Sequence, residues 1–281
     1  MIVFTKQIVM NAIALLIFCA SVFCEPRILI VVDSWAGLTW EHRSFQTALE
    51  QAGLNSYDVL GMDTGIGGST AQEWAADPAK KALMTLELER NPTIDTVLLF
   101  LGGNDVLFAL LQNISIDHVR DNIPVVVGNI SVVANFILSH RDNIRVLLIE
   151  YDYLPLEGIG VLLAPTFNGI LIEAARQRFQ LTEETDRLFY LSNLGLMQNT
   201  FGIPGRAQPG VPPLPGGPPD HTPLVGGDPD RPSPASAFDD PIHLTEAGYL
   251  VLAKRVVDFY LSDWLPHPLQ ASNVDDWQLY Q

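Results

Sequence analysis

RILIVVDSWAGL, residues 27–38, is the stretch on which the reading of the fold turns. Arg27 to Asp33 is a β-branched run of strand character, and it ends in an acid, a serine and a tryptophan. A serine after a hydrophobic strand commonly caps a helix or lines a turn. Taken alone, Ser34 is therefore a strand terminator, and a larger role depends on what the rest of the chain brings to the same strand end.

Outward from this stretch, short apolar runs alternate with longer amphipathic ones. Trp40 to Gln51 has helical spacing and stops at Gly53, and Ser56 to Leu60 reads as a second strand. The turn Gly65-Ile66-Gly67-Gly68 follows, then a helical stretch Ala71 to Arg90 interrupted at Asp77-Pro78. Thr96 to Leu101 is a third strand, closed by Gly102-Gly103-Asn104-Asp105. Helical patterns from Val106 to His140 lead to a fourth strand, Ile144 to Tyr151. Phe167 to Gln180 is helical, Arg187 to Leu191 is a fifth strand, and Thr245 to Ser262 is a C-terminal amphipathic helix. Strands alternating with helices imply a parallel sheet covered on both faces. One segment breaks the rhythm: Gly202 to Ala237 is dense in Pro and Gly and shows no apolar period, so it reads as a long surface loop or disordered insertion.

Composition narrows the function classes. With 281 residues, 48% hydrophobic and 17% charged, the chain suits one large globular domain. A formal charge of −16 would repel a phosphate backbone, which argues against nucleic acid as a partner. Residues 1–24 read as an export signal, with Lys6 as the positive region and Ile8 to Phe18 as the apolar core. Asn11 interrupts an apolar stretch already shorter than the roughly 20 residues a span needs, so membrane contact is expected only through this segment if it is uncleaved. Residues 25–281 then form a single domain, expected to be secreted or periplasmic.

In open parallel sheets, ligands bind beyond the carboxyl ends of the strands. Ser34 follows the first strand, Gly68 lies in the loop after the second, Asn104 follows the third, and His243 stands before the last helix. A serine nucleophile needs a base, and the base needs an orienting acceptor. Asp240-Pro241-Ile242-His243 supplies both, since a carboxylate three residues ahead of a histidine can fix its tautomer while the other ring nitrogen faces the serine. Acyl transfer also needs donors for the developing oxyanion. The Asn104 amide, the Gly68 N–H and the N–H of Ser34 itself are the candidates.

The segments IVVDSWA, DTGIGGST, LFLGGNDV and DDPIHLTEAGY resemble, in sequence order, the four blocks of the SGNH hydrolases, also called the GDSL esterase and lipase family. The resemblance spans nearly the whole chain after the signal. It implies a flavodoxin-like three-layer α/β/α sandwich with a five-stranded parallel sheet. It further implies Ser34 as nucleophile, Gly68 and Asn104 as oxyanion donors beside the Ser34 N–H, and His243 with Asp240 as the base pair. Two positions of the first block depart from the pattern, Val32 standing where it has glycine and Trp35 where it has leucine, and in the second block Asp63 stands where an asparagine is frequent.

The expectation is an exported serine esterase or lipase acting on a small-molecule, lipid or carbohydrate ester. The alternatives are a catalytically impaired binding protein on the same scaffold and an acyltransferase to an alcohol or sugar. The Gly-x-Ser-x-Gly elbow of other hydrolases is absent, and GIGGST lacks the spacing of a dinucleotide fingerprint. No His-Glu-x-x-His or Cys-pair motif marks a metal, and no cofactor is expected. Trp35, Leu38 and Trp40 are candidates for an apolar wall near the serine.

Overall fold

The computed structural model describes residues 24–111, 115–155, 164–203 and 226–266. The stretch 1–24 expected as an export signal therefore lies, apart from Cys24, outside the described residues. The described strands are β1 (Glu25–Val32), β2 (Tyr57–Leu60), β3 (Thr96–Phe100), β4 (Arg145–Ile149) and β5 (Leu188–Leu191). They pair in the order β2-β1-β3-β4-β5, all parallel, which is the flavodoxin-like order. Every residue of β3 is buried, as expected of a central parallel strand whose two faces are both covered.

Two apolar cores lie on opposite faces of the sheet. On one face α3 (Ala71–Ala76), α4 (Pro78–Arg90), α6 (Ile116–Leu138) and α7 (Ala164–Gln180) bury Trp74, Met84, Ile130 and Ala174 against Leu29, Val31 and Leu99. On the other, α1 (Ser34–Glu41), α2 (Ser44–Gln51), α8 (Leu196–Phe201) and α9 (Glu246–Val256) bury Trp35, Phe45, Met197 and Tyr249 against Ile28, Ile30 and Phe100. From Ile28 to Val31 the residues of β1 alternate between the two cores, as the two-residue period of a strand requires, and the alternation breaks at Val32, which joins Leu29 and Val31. Helix α6 is long and apolar enough to cross a membrane, yet Val119, Ile123, Ile130, Val133 and Ile137 are spent on the core. α5 (Gly103–Leu111) follows β3 directly.

Several boundaries differ from the sequence expectation, each for a physical reason. The helix expected at Trp40 begins at Ser34 and breaks at Arg43, whose φ of 54° is left-handed, before α2 restarts. Its first turn is hidden in the sequence by Gly37. The Gly65 loop lies against it: a Cβ added at Gly37 would fall 3.1 Å from the Gly65 carbonyl oxygen, and one added at Gly65 would fall 2.7 Å from the Gly37 Cα. The break expected at Asp77-Pro78 is present, with Asp77 capping α4 and Pro78 in its first turn. After α9 the chain makes a π-helical turn, Val257–Leu261, and a last helical turn, α10 (Ser262–Trp264).

Of the Pro/Gly-rich stretch 202–237, residues 204–225 lie outside the described residues, but 226–237 are held firmly. The buried Gln198 amide donates to the carbonyls of Asp228, Arg231 and Pro232 at 2.9–3.1 Å. The buried Asn168 amide donates to Pro229 and Arg231 at 2.8 and 2.9 Å, and the Ser233 N–H to Leu154 at 3.0 Å. A segment with no apolar period is thus ordered by buried amides that satisfy its backbone carbonyls.

Candidate active site

β1 and β3 flank the point where the strand order reverses, the crevice in which such sheets bind ligands. Ser34 leaves β1 and Asn104 leaves β3 on either side of it. Asp33 caps α1, its Oδ1 accepting from the Trp35 N–H at 2.9 Å, so Ser34 becomes the first helical residue. Its N–H is one of those a helix start leaves without an internal partner.

The Ser34 Oγ lies 2.9 Å from His243 Nε2, and His243 Nδ1 lies 2.6 Å from Asp240 Oδ2. The other oxygen of Asp240 accepts the N–H groups of Ile242 and His243 at 2.8 and 2.7 Å, which holds the tetrapeptide in a tight turn. Burial acts to raise the Asp240 carboxyl, but the hydrogen bonds from His243 and Ile242 outweigh it and leave the group below its usual range. Trp35 joins the two ends of the chain, its Nε1 donating to the Ile242 carbonyl at 2.9 Å.

The loop after β2 is fastened to both neighbours. Val32 donates its N–H to Thr64 at 2.8 Å and accepts from Ile66 at 2.6 Å, and the Ser69 hydroxyl also reaches the Val32 carbonyl at 3.1 Å. Asn104 Nδ2 donates to the Ser69 carbonyl at 2.9 Å, which commits one amide hydrogen and leaves the second. Asp105 accepts the Ala71 N–H at 2.8 Å at the start of α3. A Cβ added at Gly67 would lie 3.8 Å from the Ser34 Cβ, so this loop passes directly beside the serine. Gly68 has φ +75°, a conformation open to glycine. Val32, at the position where a glycine was expected, has φ +117°, which a β-branched residue adopts only under strain.

Four of the five sequence-expected residues are tied to this strand-end crevice by contacts. Ser34, His243 and Asp240 form one hydrogen-bonded line, Asn104 lines the same cavity as Ser34, and Gly68 lies on the adjoining loop. Of the expected apolar wall, Trp35 lines that cavity, whereas Leu38 and Trp40 pack on the second core.

A further set was missed in the sequence. The Tyr151 hydroxyl donates to Asp33 Oδ2, and its ring so crowds the Gly103 backbone that a Cβ there would fall 2.7 Å from the Tyr151 Cζ. Burial raises the Asp33 carboxyl to about 6 against the hydrogen bonds from Tyr151, Trp35 and Ala36. Burial, with the adjacent Asp33 charge, pushes the Tyr151 hydroxyl well up, so it stays a donor. Beneath Tyr151 lies Arg178, its Cζ 5.6 Å from the ring centroid and paired with the buried Glu150. Asp152, likewise buried, accepts the N–H groups of Tyr153, Gly195 and Met197, and burial raises its carboxyl to about 7. The signal was available: Glu150-Tyr151-Asp152 follows β4 directly, at the same strand-end level as Ser34 and Asn104.

Known structures agree with this architecture. A lipase, Lip_vut3, from a goat rumen metagenome superposes with a TM-score of 0.54 at 12% identity, over 84% of this chain and 97% of that one. A chain described as a GDSL-like lipase from Parabacteroides merdae gives 0.50 at 12% identity, over 83% and 94%. The fold is that of the SGNH hydrolases. A Streptococcus pneumonia chain described as a platelet activating factor shares this SGNH fold, with a TM-score of 0.51 at 13% identity over 84% and 85%. No protein-family model and no curated protein sequence matches the chain.

Proposed function

We propose that the protein hydrolyses carboxylic esters through an acyl-enzyme on Ser34. The observation that carries this reading is the line from Ser34 Oγ through His243 to Asp240, at 2.9 and 2.6 Å, on a fold shared with lipases. His243 Nε2 takes the hydroxyl proton as Ser34 Oγ attacks the ester carbonyl, and Asp240 holds the imidazole and balances its positive charge. The tetrahedral oxyanion is met by the Ser34 N–H at the start of α1, the Gly68 N–H and the second hydrogen of the Asn104 amide. When the intermediate collapses, the bond to the alcohol breaks and His243 returns the proton to the leaving oxygen. Water then repeats the sequence on the acyl-serine, releasing the acid and restoring Ser34.

The positive φ of Val32 supports catalysis over mere binding, because it delivers Ser34 within hydrogen-bond reach of its base without the expected glycine. The Lys6 and Ile8 to Phe18 pattern supports export, so the substrate is met outside the cytoplasm. Ser34→Ala should abolish hydrolysis of p-nitrophenyl butyrate while leaving the circular dichroism spectrum and unfolding midpoint intact. Labelling of wild-type Ser34, but not of the variant, by a fluorophosphonate reports the activated hydroxyl directly. Retained turnover in Ser34→Ala overturns the assignment, absence of labelling points to a binding protein, and ester exchange into added alcohol in preference to water points to acyl transfer.

A further inference from the structure

The cavity beside Ser34 has a volume of about 250 Å³ and is lined by Ser34 and Asn104 together with Trp35, Val106, Leu107, Phe167, Leu171 and Ile242. Neither His243 nor Asp240 lines it. In the hydrolysis proposed above, the departing alcohol oxygen must take its proton from His243 Nε2, so the alcohol leaves on the histidine side. A cavity that Ser34 and Asn104 line and His243 does not is therefore assigned to the acyl side of the scissile bond.

Its chemistry selects an apolar chain. The two carboxylates in the lining are already occupied, Asp33 by the Trp35 N–H and the Tyr151 hydroxyl, Asp152 by three backbone N–H groups. Hydroxyl groups on an acyl chain would lose water there and gain little in exchange. The volume sets the length. An apolar cavity of about 150 Å³ accepts a benzene, six carbons, so the larger space here suits about ten at most. An acetyl group would leave most of the apolar surface uncovered, and each added methylene that enters it gains roughly threefold to fourfold in binding.

We propose that this cavity is the acyl site and that it selects unhydroxylated acyl chains of about six to ten carbons. The proposal rests on the ester-hydrolase reading and adds the substrate class to it. It is tested by kcat/KM on p-nitrophenyl esters from acetate to laurate. The maximum is expected between six and ten carbons, with octanoate exceeding acetate tenfold or more and laurate falling below octanoate. Leu171→Trp and Val106→Phe each narrow the cavity from a different helix, and each should lower the octanoate to acetate ratio at least tenfold.

A maximum at acetate overturns the proposal, as does a ratio unmoved in both variants. The wild-type series decides it even where one variant fails to fold. Fluorophosphonate labelling of Ser34 separates the two readings. If labelling and ester turnover persist while the chain-length profile fails, only the acyl-site proposal falls. If neither labelling nor turnover is seen, both fall.

Discussion

Val32 is where one residue's chemistry conflicts most with its conformation. Its φ of +117° carries a strain of about 1–3 kcal/mol for a β-branched side chain, and it persists because Thr64, Ile66 and Ser69 all bond its peptide groups. Glycine at this position relieves the strain but gives up a fully buried isopropyl group. The two effects oppose each other, whereas at the equally buried Val31, outside that region of φ, only the loss operates. Val32→Gly should therefore cost about 2 kcal/mol less than Val31→Gly, as read from urea unfolding midpoints at equal m-values. Equal costs would show that the backbone at Val32 is unstrained. The sequence marked Val32 as a departure, but it could not say whether the backbone or the side chain gives way. The backbone keeps the glycine conformation, and the side chain bears the strain.

Among elements, the segments leaving β1, β3 and β4 are joined by one side chain. Tyr151 bonds Asp33 at the cap of α1 and packs on Gly103 at the start of α5, while Arg178 from α7 lies under its ring. Tyr151→Phe removes the hydroxyl and keeps the packing. Below about pH 5, where Asp33 is protonated in the fold, the loss is a neutral hydrogen bond of about 1 kcal/mol. Above pH 7, where Asp33 is ionised, it becomes a bond to a charge worth about 1.5–3 kcal/mol, so the destabilisation should grow with pH. Urea titrations at pH 5 and pH 8 check this, and a pH-independent cost would remove Asp33 as the partner.

The strands were legible because apolar runs of four to eight residues bounded by turn residues have one common outcome in an alternating chain. The hydrogen-bonded line of Ser34, His243 and Asp240, and Asn104 beside it, were legible because their residue types are few and their order is distinctive. The start of α1 was not, since Gly37 answers a contact with Gly65 that is distant in sequence. Tyr151 and Arg178 were not, because a buried tyrosine and arginine look ordinary until the fold brings Asp33 and Glu150 to them.

For the molecule as a whole, buried carboxyls set the response to pH, with Asp105 raised by burial in the same sense as Asp33 and Asp152. Asp33 and Asp152 hold their protons to about 6 and about 7, whereas an unfolded aspartate ionises near 3.9. The unfolded chain therefore gives up these protons first. The stability they contribute is complete below about pH 4 and is lost as pH rises through 6 and 7. Asp240, held low, acts in the opposite sense and loses its contribution as pH falls below the usual carboxylate range. The formal charge of −16 adds self-repulsion on the alkaline side. The melting temperature should fall by about 5 °C or more between pH 5 and pH 8, a size set by a few kcal/mol in a domain of this length. Asp152→Asn should flatten that slope, and an unchanged slope would mean that Asp152 does not titrate in this range.

The bond from Trp35 Nε1 to the Ile242 carbonyl makes the spacing of Ser34 and His243 a local matter, although 209 residues separate them. The histidine turn is moored to the helix that carries the serine, so their separation is set by this bond as well as by the intervening chain. Trp35→Phe, which keeps the ring and removes this donor, should therefore loosen the histidine turn from α1 while leaving the sheet intact.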